Sequence, residues 1–169
     1  TKRGVWVWLS LLFITLALAI GASLYAEGGV WNALWNDYAD FQQLAGELVA
    51  GKCYIDTYEG ATLATERCQL SLMGICTDTF GMAVGMGRFE KEVPIAVSGW
   101  VLAYVDKTYP CGTPLTNDAF GNLTEMTIEE KRDYPERLIA LYKKPETNKE
   151  FGTKEKTIEV NGRHWVKVR

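Results

Sequence analysis

The sequence predicts a mainly β protein with one short helix, preceded by an extended β segment. Three observations carry this. From Cys53 onward, short apolar runs alternate with Gly, Asp, Asn and Pro, the punctuation of strands and turns. Near the end of the chain, Asn161 and Gly162 sit between alternating residues, a pair suited to a hairpin turn that needs positive φ twice. The uncharged run at residues 5–26 alternates large and small side chains with the two-residue period of a strand.

That run carries large residues at Leu12, Ile14, Leu16, Leu18, Ile20 and Leu24, and small ones at Thr15, Ala17, Ala19, Gly21 and Ser23; Phe13 and Ala22 break the order. A strand buried on both faces, or wound around neighbouring copies, would use such alternation. Hydropathy offers a competing reading. About 20 apolar residues suffice for a membrane-spanning helix. Lys2 and Arg3 precede the run, and Trp6, Trp8 and Tyr25 lie near its ends, where charge bias and aromatic belts are found.

The elements that follow read in order. Gly28 and Gly29 break the chain, and Leu34, Tyr38, Phe41, Ala45 and Leu48 then have helical spacing. This predicts a helix interrupted by Gly46 and Gly51. "CYIDTYEGATLATERCQL" reads as strand, turn, strand, and "VPIAVSGWVLAYV" as a buried strand pair. "TYPCGTPLTNDAFGNLTEM" reads as a turn-rich connection. Thr127 and Glu130 form a capping box, in which hydroxyl and carboxylate each close the other residue's free amide; Pro135 stops that helix after about two turns. "RLIALY" is a further strand, and the chain closes on the expected hairpin.

The 169 residues are 47% apolar with a formal charge of -3. That length suits one domain with an extension, and the charge argues against a general nucleic-acid binder. Cys53, Cys68, Cys76 and Cys111 have neither CxxC nor zinc-knuckle spacing. Free thiols are expected, with two disulfides as the alternative.

Few residues are candidates for chemistry. The single histidine, His164, lies beside Trp165 next to the last turn, and no serine sits in a nucleophile elbow. Ser98 reads as a turn residue. Gly81, Gly85 and Gly87 make no phosphate loop. Asp37 and Asp40 could pair as carboxylates, as glycan hydrolysis would need, although two acids three apart are usually solvated and nothing specific in the sequence supports that chemistry. Trp31, Trp35, Tyr38 and Phe41 could make a sugar platform, although core or subunit-interface aromatics are the favoured reading. No catalytic residue, metal or cofactor is expected.

The stretches "WNALWNDYADF", "MGICTDTFGMAVGMG", "VPIAVSGWVLAYVDKTYPCGTPLT" and "EVNGRHWVKVR" occur here in this order. Together they resemble the C-terminal tip domains of bacteriophage tail fibres, tailspikes and related virion fibre proteins, and more loosely the fibre domains that act as autoproteolytic chaperones. The resemblance covers residues 28–169. It implies a homotrimeric β-rich tip on a β stalk, without enzymatic activity. The implied partners are other copies of the chain, tail or baseplate proteins, and a host-surface glycan or protein, but no nucleic acid. Residues 1–27 would then be the trimer-wound stalk and 28–169 the tip. Leu12, Ile14, Leu16, Leu18, Ile20, Trp31 and Trp35 would lie at the trimer interface, with receptor contacts on the turns at residues 109–118 and 148–154. The alternatives are a single-pass membrane protein with a small extracytoplasmic β domain, or an autoproteolytic fibre chaperone domain.

Overall fold

The computed structural model describes residues 2–27, 35 and 37–169. It divides into two units, residues 1–33 and 34–169.

The first unit holds one helix, α1 (Lys2–Glu27). The extended strand expected over residues 5–26 is therefore corrected. The physical reason lies in the backbone. A strand needs a neighbour for its N–H and C=O groups, whereas a helix satisfies them within itself. Leu and Ala also rank at the top of helix propensity. Two-residue steps turn a helix by about 200°, so the set Leu12, Ile14, Leu16 and Leu18 divides between opposite sides. Leu12, Ile14, Leu16 and Leu18 are exposed. Side chains of α1 are described only within residues 4–18. Among the described residues no helix is long and apolar enough to cross a membrane.

The second unit is mainly β. Its large sheet has seven strands in the order β5 (Phe80–Val84), β1 (Asp37–Gln43), β6 (Glu92–Ala103), β12 (His164–Val168), β9 (Ala140–Pro145), β7 (Pro114–Asn117) and β8 (Leu123–Glu125), and a three-stranded sheet runs β3 (Gly60–Leu63), β2 (Cys53–Thr57) and β4 (Leu72–Ile75). The central strand β6 (Glu92–Ala103) is one continuous strand, not the expected pair. Its first half pairs with β1 (Asp37–Gln43) and its second half with β12 (His164–Val168). One strand thus serves two neighbours in succession. The register slips where Tyr38 faces Ser98 and Ala39 faces Ala96, which leaves Val97 as the extra residue of a bulge.

The expected helix around residues 34–48 is absent over its described residues, where β1 stands instead. Its apolar positions also fit a strand held between two others: Ala39 is fully buried, with β5 (Phe80–Val84) on one side and β6 on the other. Gly81 permits this packing, because a Cβ there would collide with the Trp35 carbonyl oxygen.

β2 (Cys53–Thr57) and β3 (Gly60–Leu63) form the expected hairpin, and β4 (Leu72–Ile75) pairs on the other side of β2. Cys53 and Ile75 join Val101, Leu115, Leu123, Tyr142 and Val166 in one buried cluster, so the small sheet covers one face of the large one. The supposed turn-rich connection contains β7 (Pro114–Asn117) and β8 (Leu123–Glu125), paired with each other. The capping box opens α2 (Ile128–Asp133) as expected, and a 3₁₀ turn at Pro135–Arg137 follows. β9 (Ala140–Pro145) realises the expected strand.

The last turn is correct in shape and wrong in partners. Asn161 and Gly162 both have positive φ, 53° and 75°, and the Arg163 N–H donates to the Val160 carbonyl at 3.0 Å. Yet β11 (Thr157–Glu159) pairs with β10 (Glu150–Gly152), while β12 enters the large sheet.

Candidate functional site

Two polar clusters and one aromatic group hold the chemistry-bearing residues of the β unit. The first cluster gathers where β1 begins. Asp37 is buried, and its Oδ2 accepts from the Thr77 hydroxyl at 2.7 Å. Thr77 and Thr79 share a contact of 3.1 Å between their hydroxyls. The Asp37 Oδ1 has no partner among the described residues. Burial pushes this carboxyl up to about 6, against smaller opposing effects from the two threonine hydrogen bonds.

Between Thr77 and Thr79 in sequence, Asp78 forms a two-pronged ion pair with Arg163, at 2.8 and 3.0 Å. Arg163 is almost completely buried and also donates to the carbonyls of Val160 and Glu159. Its planar fork suits a carboxylate better than a lysine would. This pair ties the last turn to the loop between β4 and β5.

Asp37 and Asp40 do not form the carboxylate couple considered from sequence. Three residues apart on a strand, they point to opposite faces. Asp37 is buried, whereas Asp40 is half-buried and pairs with Arg88 at 3.3 Å.

The second cluster surrounds His164. Its Nδ1 lies 2.8 Å from the Tyr142 hydroxyl, and burial lowers its pKa below the ordinary value. Tyr142 is buried and meets Tyr109 edge-on at 5.8 Å. Tyr109 and Thr124 each donate to a different oxygen of Asp106, at 2.7 and 2.9 Å. Among the described residues no serine or cysteine is bonded to His164, and no group of three His, Cys, Asp or Glu could hold a metal ion. The geometry is that of a packed polar network in a sheet. Ser98, read as a turn residue, is part of β6.

The aromatic candidates separate. Trp35 is buried, with Phe151 edge-on at 5.3 Å, and Phe41 meets Phe80 edge-on at 5.8 Å. Tyr38 is half-buried on β1. They form no common platform. Trp31 and the side chain of Ile20 lie outside the described residues.

In the segment 109–118, Tyr109, Leu115, Thr116 and Asn117 are buried, while Pro110, Cys111 and Gly112 are exposed. Asn117 donates to the Glu66 and Asp118 carbonyls and accepts from the Gln69 N–H. Residues 148–154 do lie mostly at the surface, on the β10 hairpin. An open groove of about 470 Å³ runs between β4, β6 and the end of β12, with Leu72, Ile95 and Val168 in its walls and Asp40 and Glu136 at its rim.

The residues that organise these clusters, Thr77, Thr79, Asp78, Arg163 and Asn117, were not singled out from sequence. The Thr-Asp-Thr run at 77–79 between two apolar segments is the signal that could have marked the first of them. Comparison with known protein families, curated proteins and solved structures found no match.

Proposed function

We propose that the β unit is the tip module of a homotrimeric virion fibre, serving assembly and attachment to the host surface. One observation carries this reading. The four stretches that resemble fibre tips fall on β1, on β4 and β5, on β6 and the start of β7, and on β12. Of these strands, β5, β1, β6 and β12 are consecutive neighbours in the large sheet. Segments scattered over more than a hundred residues thus build one continuous surface, as a shared structural signature would. The buried polar groups support the same reading: Arg163, Asn117 and Tyr142 hold strands and turns together.

Antibodies against the β unit test this on phage particles whose genome encodes the chain. Gold label at the fibre tips is the expected result. Virions without label, with the protein in the host membrane fraction, would overturn it.

A second reading has its own observation. α1 is apolar on every side, and Trp6, Trp8, Leu12 and Phe13 are exposed. Such a helix is stable when buried among others or in lipid. A membrane-anchored β domain is therefore the alternative that the labelling experiment distinguishes.

A further inference from the structure

We propose that the outer face of the large sheet carries a binding site for a carboxylate-bearing sugar unit, centred on Trp100 between Lys143 and Lys167. The inference rests on the attachment role above and assigns it a place.

Strand alternation sets up the site. Val101 and Ala103 point into the buried core, so Trp100 points away from it. Lys167 lies directly opposite Trp100 across the β6–β12 ladder, and Leu141 of β9 is its partner on the other side. Lys143 follows on β9. The Lys143 and Lys167 ammonium groups stand 5.2 and 5.7 Å from the Trp100 ring centroid. Both lysines are exposed and Trp100 is half-buried. Further along the same ladder, Trp165 faces Leu102 and is covered by Phe151 of the β10 hairpin at 4.9 Å.

Charge then selects the ligand. Ion pairs among the described residues use arginines, and neither lysine takes part in one. Two unneutralised ammoniums therefore share one indole, on a chain whose formal charge is -3. A carboxylate placed between them gains charge-assisted hydrogen bonds. The apolar C–H face of a pyranose ring fits against the flat indole. Each exposed cation–π contact is worth only about 0.5–1 kcal/mol, so a ligand shifts the flexible lysines off the ring at small cost. A nucleic-acid backbone would need a longer track of basic residues than two lysines. In a trimer, three such weak sites act together on one polysaccharide.

The test is a titration of the full chain with hyaluronan tetrasaccharide, against neutral chitotetraose and against inorganic sulfate. Saturable binding of hyaluronan tetrasaccharide is expected, weakened about tenfold or more in the double variant Lys143→Ala/Lys167→Ala and in Trp100→Ala. Both should retain the wild-type circular dichroism spectrum. Equal binding of chitotetraose, equal competition by sulfate, or affinity unchanged in the folded double variant would overturn the site. Virion labelling does not depend on these lysines. If label marks the fibre tip and the titration fails, the sugar site alone falls; if the titration succeeds and label is absent, the site stands without the fibre.

Discussion

Asp37 and His164 set opposite pH dependences. Burial raises the folded pKa of Asp37 to about 6 from an ordinary value of 3.8. Between those two values the folded state holds the proton more tightly than the unfolded chain does. Stability from this group is therefore greatest below about pH 4, falls as pH rises to about 6, and is level above that, a change of order a few kcal/mol. His164 behaves in the opposite sense. Its folded pKa lies below 6.5, so its contribution is intact above the ordinary histidine value and is lost as pH falls below it. Thermal melts from pH 4 to 8 separate the two: Asp37→Asn should leave only the decline towards acid, and an unchanged profile would contradict the burial argument. Arg163→Ala would strand Asp78 and two backbone carbonyls, and should cost about 3–5 kcal/mol in urea unfolding. Among the thiols, Cys53, Cys68 and Cys76 are buried and Cys111 is exposed, all unpaired. Burial raises the Cys76 thiol to about 12 and raises Cys53 as well. One thiol should react quickly with Ellman's reagent in the native protein, and four after denaturation without reductant.

At the scale of elements, α2 depends on its cap. The Thr127 hydroxyl accepts from the Glu130 N–H at 3.0 Å, the Glu130 carboxylate accepts from the Thr127 N–H at 2.9 Å, and Arg67 holds that carboxylate from another loop. Thr127→Ala should cost about 1 kcal/mol of stability in the same urea assay; no measurable loss would show that Arg67 alone fixes the helix. This cap was legible in the sequence because its signal is local: two side chains, three residues apart, satisfy each other's amides. The Asn161–Gly162 turn was legible for the same reason, since positive φ is a property of those two residues. What was not legible is which strands meet. The pairing of β12 with β6 and β9 depends on buried partners at Val101, Val166 and Ala140, and the residues around the turn read equally well as a simple hairpin. β1 was misread because Leu34, Tyr38, Phe41 and Ala45 fit a helical period, while the sheet on both sides overrides that local pattern. α1 was misread in the reverse direction: a period of two in Leu and Ala was given more weight than the self-sufficiency of a helical backbone. The clusters around Asp37 and Asp106 join residues distant in sequence, which no local pattern reveals.

At the scale of the whole molecule, the apolar surface of α1 calls for a cover. Val5, Trp6, Val7, Trp8, Leu11, Leu12 and Phe13 are all more than half exposed, and contiguous apolar surface of this extent marks an association site. Burial contributes roughly 25 cal/mol per Å² of apolar area, so several large side chains give ample drive for chains to associate in water. Trimerisation through this region would place three β units together and multiply the weak contacts of each. The most direct test is the mass of the full chain by multi-angle light scattering in detergent-free buffer. The fibre-tip account predicts a uniform species of three times 18.9 kDa. A stable monomer in that buffer, or a protein that stays in solution only as single chains in detergent micelles, would contradict it.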